Sequence, residues 1–228
     1  MRYRSQLRFL LEGVEGVGVF LVVFLSWPLS KRWLENWGSV AAERERAWTG
    51  DELAPSSHDI STRAVDVAAG ADAVWPWIVQ FGLGRAGFYS YELLERVVGI
   101  PVKNVESVVE EFQTLDIGDE IKLHPTAPGI PIVALERGRH ICFGQPADAP
   151  VTADPDPLRS WSIYLDPQSS QSCRLVLRGC VEELREPTAL KRLGLWMGQP
   201  IDFAMEQRML RTIRRLAESS DSGSGDPT

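Results

Sequence analysis

Between Ile201 and Ala217 apolar side chains recur at helical spacing. At 100° per residue, Ile201, Met205, Met209, Ile213 and Leu216 fall within about 120° of one another, with Phe203, Leu210 and Ala217 continuing the arc. Arg208, Arg211, Arg214, Arg215 and Glu218 take the opposite side. The pattern predicts one long helix over 200–217 with a core-facing stripe and a basic outer face. Glu206 interrupts it, projecting from inside the apolar arc between Ile213 and Ala217. A carboxylate there needs a cation, several donors or a wet cavity, because an unpaired buried charge is strongly disfavoured.

The other long apolar run, Gly13 to Leu29, is broken only by Glu15 and is flanked by Arg2, Arg4 and Arg8 on one side and Lys31 and Arg32 on the other. As a helix it is about 26 Å long, the lower limit for crossing a bilayer. Trp27 and Trp33 beside the cations fit an interfacial belt, and Ser26-Trp27-Pro28-Leu29-Ser30 offers no small-x-small cleavage site. The run reads as an uncleaved single-pass membrane anchor over 1–34, with 13–29 in the bilayer. An interfacial helix and an ordinary docking helix are the alternatives. Cations on both flanks leave the orientation open, and three thiols without a pairing pattern favour a cytoplasmic domain weakly.

Residues 35–58 are polar and read as a spacer, with a short helix over 40–48. Alternation over 60–67 predicts a strand. A helix then opens at Gly70-Ala71-Asp72 and contains Trp75, Pro76 and Trp77. Pro76 fits only near the first turn, and two tryptophans two residues apart cannot share a face, so one should leave the main core. Gly82-Leu83-Gly84-Arg85-Ala86-Gly87 has dinucleotide-loop spacing, but a helix rather than a strand precedes it, so a flexible turn using positive φ is the better reading. A second short helix follows over 92–98. Strand patterns recur over 105–112, 120–123, 130–135, 139–143, 161–165 and 173–178, with an exposed loop over 144–157 and a Ser/Gly/Asp-rich disordered tail over 219–228. The domain proper is therefore 59–218, an α+β unit.

Composition narrows the function classes. The 228 residues are 44% hydrophobic and 24% charged, ordinary for one folded domain, and the net charge of −7 argues against a nucleic-acid partner. Cys142, Cys173 and Cys180 form no ligand spacing and read as small buried apolar side chains. His124 and His140 have no sequence neighbour to hold them. Arg85, Phe88, Tyr89 and Tyr91, three aromatics and a guanidinium after a glycine hinge, suit a cavity rim, although a plain aromatic staple of the core would read the same. Candidate partners for Glu206 are Arg63, Arg85 and Arg178, in a buried clip, a ligand anchor or a proton donor.

Several stretches are recognisable as they stand: Gly50-Asp51-Glu52-Leu53, Thr62-Arg63-Ala64, Ala73-Val74-Trp75-Pro76-Trp77-Ile78-Val79-Gln80, Gly84-Arg85-Ala86-Gly87-Phe88-Tyr89-Ser90-Tyr91, and Asp202 through Leu210. Together, over roughly 50–217, they resemble a bacterial branch of the START-like (SRPBCC) superfamily, in the polyketide cyclase/dehydrase-like group. The resemblance implies a helix-grip fold, a curved antiparallel sheet wrapped around the C-terminal helix with a hydrophobic pocket between them. It implies no particular reaction. Metal-carrying hydroxylases of that superfamily use a His/His/carboxylate set, and His58, His124 and His140 do not supply one, so neither metal nor cofactor is expected. The leading expectation is a membrane-tethered module that binds a hydrophobic small molecule or lipid through Arg85, Phe88, Tyr89, Tyr91, Trp161, Met205, Glu206 and Met209. The alternative is a cyclase or dehydratase with Glu206, Arg85 and Tyr89 as catalytic groups. An interaction module with a filled pocket is the third possibility.

Overall fold

The computed structural model describes residues 6–55, 59–144, 158–181 and 188–223. Residues 145–157 of the loop expected over 144–157 and residues 224–228 of the expected tail lie outside them, while Gly144 ends β4. In chain order the helices are α1 (Gln6–Glu35), α2 (Ala41–Glu45), α3 (Ala71–Val79), α4 (Glu92–Val97) and α5 (Ala189–Gly223), and the strands are β1 (Asp59–Val67), β2 (Glu120–Ile121), β3 (Ile130–Glu136), β4 (His140–Gly144), β5 (Leu158–Ser169) and β6 (Ser172–Val181). The strands form one curved six-stranded sheet, order β1-β6-β5-β4-β3-β2, with every pairing antiparallel.

The period-2 pattern places alternate side chains on opposite faces. On the inner face Val65, Leu175, Leu177, Ile163 and Ile141 meet Ile78 of α3 and Leu210 and Ile213 of α5 in one buried cluster. On the outer face Ala64, Val176, Cys142 and Tyr164 form a second cluster with Trp48. Glu43, Trp48 and Asp51, from the segment 35–58 expected by its polarity to be a spacer, thus cover this outer face. Trp48 packs 4.3 Å from the Tyr164 ring, Arg174 binds Glu43 at 2.7 Å, and Arg178 binds both oxygens of Asp51 at 2.7 and 3.0 Å. Arg178, on a strand, needed a carboxylate once its side chain was buried, and the polar segment supplied it. Asp51→Ala is therefore expected to cost about 2 kcal/mol in urea unfolding, because among the described residues Arg178 then keeps only Thr62 Oγ1, at 2.7 Å.

Several elements differ from expectation. The stretch 105–112 is no strand: Val105 N binds Ala86 O and Val109 N binds Gln80 Oε1, so its backbone is held by the loop after α3, and 110–112 close into a 3-10 turn. Trp75 and Trp77 are both core, because α3 is covered on two sides. Pro76 lies in the second turn of α3, and the carbonyl it leaves without a helical donor belongs to exposed Asp72. Helix α5 begins well before Pro200, after Thr188, whose carbonyl accepts Arg192 N at 2.9 Å. It also runs past Ala217, where Ser219 and Ser220 donate to the carbonyls of Arg215 and Leu216. The first five residues of the expected tail are therefore helical.

Helix α1 is long and apolar enough to span a membrane. It nonetheless runs along the domain, on the basic side of α5 that was expected to face solvent. Arg208 meets Glu12 at 3.0 Å and Glu15 at 3.4 Å, and Arg8 reaches Glu106 at 2.9 Å. Gly13 and Gly16 permit this approach: a Cβ at Gly13 would stand 2.5 Å from Leu93 Cδ2, and one at Gly16 would stand 2.8 Å from the Tyr91 ring. Gly16→Leu is expected to displace α1 from α4, seen as faster trypsin cleavage after Arg8 and Arg32.

Candidate functional site

The site is assembled around Arg63. On β1 it shares the inner face with Val65 and Val67, so its guanidinium points at α5 rather than at water. It is paired through Nη1 with Glu206 Oε2, donates from Nε to Leu34 O at 3.1 Å, and stands 5.4 Å from the Phe203 ring centroid. The other carboxylate oxygen of Glu206 accepts Trp161 Nε1 at 2.9 Å. Side-chain exposure is 5% for Arg63 and 17% for Glu206. One carboxylate thereby ties together β1, β5 and α5, and through Arg63 the last turn of α1.

From Trp161 a row of rings crosses the inner core. Its indole packs on Phe143 at 5.4 Å and on Phe81 at 5.3 Å, and Phe81 packs on Phe88 at 5.3 Å. Met209 belongs to the same cluster, while Met205 is half-buried. Of the expected ligand-binding residues, Phe88, Trp161, Glu206 and Met209 therefore converge beneath α5. All of Phe88, Tyr89, Tyr91, Trp161 and Met209 are buried. The positions expected to line a hollow are packed among protein atoms. A depression of about 380 Å³ opens elsewhere, at the sheet end between Asp72, Arg137, Arg139, Ser169 and Asp221.

Arg85 does not reach Glu206. Its Nη2 donates to Phe112 O at 2.8 Å and Val79 O at 3.3 Å, and burial lowers its pKa. The Tyr89 hydroxyl accepts Gln80 Nε2 at 2.7 Å, and burial raises its pKa. Tyr91 donates to Glu15 Oε1 at 3.3 Å beneath the Arg208 guanidinium, and burial, aided by Glu15, pushes its pKa up to about 12. These three side chains brace the loop and helices around α3, α4 and α1 and form no rim around the glutamate. His124 sits in an exposed turn with Thr126, and His140 sits beside Glu136 with its pKa lowered by burial.

Sequence reasoning missed the polar network that holds the glycine turn. Asn104 Oδ1 accepts the backbone N–H of Phe88 at 2.9 Å and of Tyr89 at 2.6 Å, and its Nδ2 donates to Ser90 O at 2.9 Å. Glu92 Oε1 accepts Asn104 N at 2.7 Å, and Ser90 Oγ donates to Glu95 Oε1 at 2.6 Å. Tyr89 is held at φ 57°, an unusual conformation for an aromatic residue. Gly82, Gly84 and Gly87 take positive φ, as expected of the turn. The sequence carried little signal for it, since Asn104 stands beside Lys103 between Val102 and Val105 in a mixed stretch.

Burial raises the Glu95 pKa to about 7, opposed by the Ser90 hydrogen bond. Because the folded-state value lies above the ordinary 4.5, folding takes up a proton between those pH values. That contribution is complete below pH 4.5 and lost as pH rises through about 7. Glu95→Gln is expected to flatten the fall in stability across this window, measured by urea midpoints at several pH values. An unchanged slope would show that Glu95 titrates normally.

No protein-family model and no curated protein matches the chain. Among solved structures it is similar to CalC of Micromonospora echinospora, a self-sacrificing resistance protein, at 8% identity over 74% of this chain and 97% of that one, TM-score 0.34. It is also similar to a truncated norcoclaurine synthase of Thalictrum flavum, at 12% identity over 69% and 91%, TM-score 0.29. The Aha1 dimer structure of Colwellia psychrerythraea is likewise similar, at 12% identity over 64% and 92%, TM-score 0.28. Likenesses this distant carry nothing about activity.

Proposed function

We propose that the protein is a membrane-associated binding module of the helix-grip kind, holding a hydrophobic small molecule or lipid between the sheet and α5. The observation that carries this reading is the outer face of α1, where leucines and valines from Leu7 to Leu29 stand exposed although the inner face is already packed on the domain. Apolar area of that extent is unfavourable in water at about 25 cal/mol per Å², and a lipid environment removes the cost. Aromatic rings and Met209 pack beneath α5, and Met205 beside them is half-buried. A thioether changes rotamer readily, so these side chains offer a way for an apolar guest to enter.

Acid–base catalysis by Glu206, Arg85 and Tyr89 finds no support in the geometry. Both oxygens of Glu206 are engaged, and the other two groups serve different neighbours.

Delipidated full-length protein mixed with a fatty acid, an isoprenoid or a polyketide should retain one of them in native mass spectrometry. Uptake of none would overturn the binding role.

A further inference from the structure

We infer that α1 lies in the plane of the membrane surface, docked on its own domain, with its outer face and the first half of α5 sunk together into an anionic leaflet. This rests on the membrane association proposed above and specifies its geometry.

The inner face of α1 is fixed to the domain along the whole helix. Arg8 with Glu106 holds the first turns, Arg208 with Glu12 holds the next, and Arg63 with the Leu34 carbonyl together with Lys31 and Asp59 at 3.3 Å holds the last. Crossing a bilayer in this arrangement would carry those ion pairs, and the domain beside them, into hydrocarbon. Peeling α1 away would expose Trp27, Leu34 and Phe203, which pack together in its seat, and would strip Arg63 of one acceptor. Lying flat demands neither change.

The outer face fits lipid better than a second copy of the helix. Its apolar stripe, from Val17 through Leu21 and Leu25 to Val22 in angle, is about 140° wide at 100° per residue. A coiled-coil partner needs only a narrow seam, whereas an interfacial helix buries a broad face. The stripe also continues onto another element. Phe24 meets Trp196 of α5 at 5.7 Å, and Leu190, Leu193 and Met197 on the same half of α5 are exposed as well. Two helices thus present one apolar surface.

Charge completes the match. The chain carries −7 overall, yet the exposed Arg32 adjoins Trp33 at the end of α1 and the exposed Arg192 lies in the opening turns of α5. A tryptophan beside a snorkelling arginine suits the headgroup level, and cations at the rim favour anionic lipid.

The test uses the full chain with single substitutions Val14→Cys, Leu21→Cys and Leu29→Cys, each bearing a nitroxide, on vesicles of phosphatidylcholine mixed with phosphatidylglycerol. The native cysteines are buried. Accessibility to oxygen and to a water-soluble nickel complex reports depth. Equal, shallow depths at all three positions are expected. A label at Leu21 near the bilayer centre with Leu29 at the surface would overturn the in-plane geometry while leaving membrane association standing. Absence of vesicle binding in flotation, with self-association instead, would overturn both. The paired change Leu21→Asp and Leu25→Asp should lower vesicle binding at least about tenfold with an unaltered near-ultraviolet circular dichroism spectrum. Arg32→Gln should weaken binding about fivefold on the mixed vesicles and little on phosphatidylcholine alone. Equal loss on both would overturn the anionic-lipid preference.

Discussion

Replacing Arg63 with methionine is expected to lower the free energy of unfolding by about 3 to 5 kcal/mol, read from urea denaturation at neutral pH. The magnitude follows from what remains. Among the described residues Glu206 then keeps only the Trp161 N–H, and the Leu34 carbonyl at the end of α1 loses the Arg63 donor. Glu206→Gln should cost less, since the neutral amide oxygen can still accept a hydrogen bond at this position and Arg63 retains Leu34 O. The double variant Arg63→Met with Glu206→Leu should recover much of the single loss, because a buried ion pair repays little beyond its own desolvation and an apolar pair avoids that penalty. A loss below about 1 kcal/mol for Arg63→Met would mean that the pair is hydrated and does not clip the helix to the sheet.

The second large effect is expected at Asn104. Removal of its side chain in Asn104→Ala leaves the buried N–H groups of Phe88 and Tyr89 and the Ser90 carbonyl without their partner, at a cost of about 3 kcal/mol. Tyr89 is held at positive φ by these bonds, so the loss should also be local. Hydrogen exchange at the Phe88 and Tyr89 amides should accelerate more than exchange in β5 and β6. Uniform acceleration across the domain would show that Asn104 acts only through global stability.

The two predictions mark the boundary between what the chain pattern revealed and what it concealed. Period-2 alternation marked β1, β5 and β6, a hairpin pattern marked β3 and β4, and helical spacing marked α5, because those patterns record one face of one element against a core. The same spacing isolated Glu206 as a buried carboxylate. It could not say which of Arg63, Arg85 and Arg178 would meet it. Arg63 and Arg178 lie on neighbouring strands, yet they emerge on opposite faces of the sheet. Arg85 had sequence company that looked like a cavity rim, but the turn carrying it folds back on Asn104, and its guanidinium goes to main-chain carbonyls.

Apart from the strand expected over 105–112, sequence alone determined the kinds of the main elements, their order, and an inward-looking acid on the final helix, since local periodicity is written residue by residue. Tertiary structure alone decided the partner of that acid, the packing of Trp161, Phe81, Phe88 and Met209 beneath α5, and which face of α1 is seated on the domain. A helix that is hydrophobic all round carries no phase to read. Only the glycines and ion pairs that seat it on the domain reveal which side stays exposed.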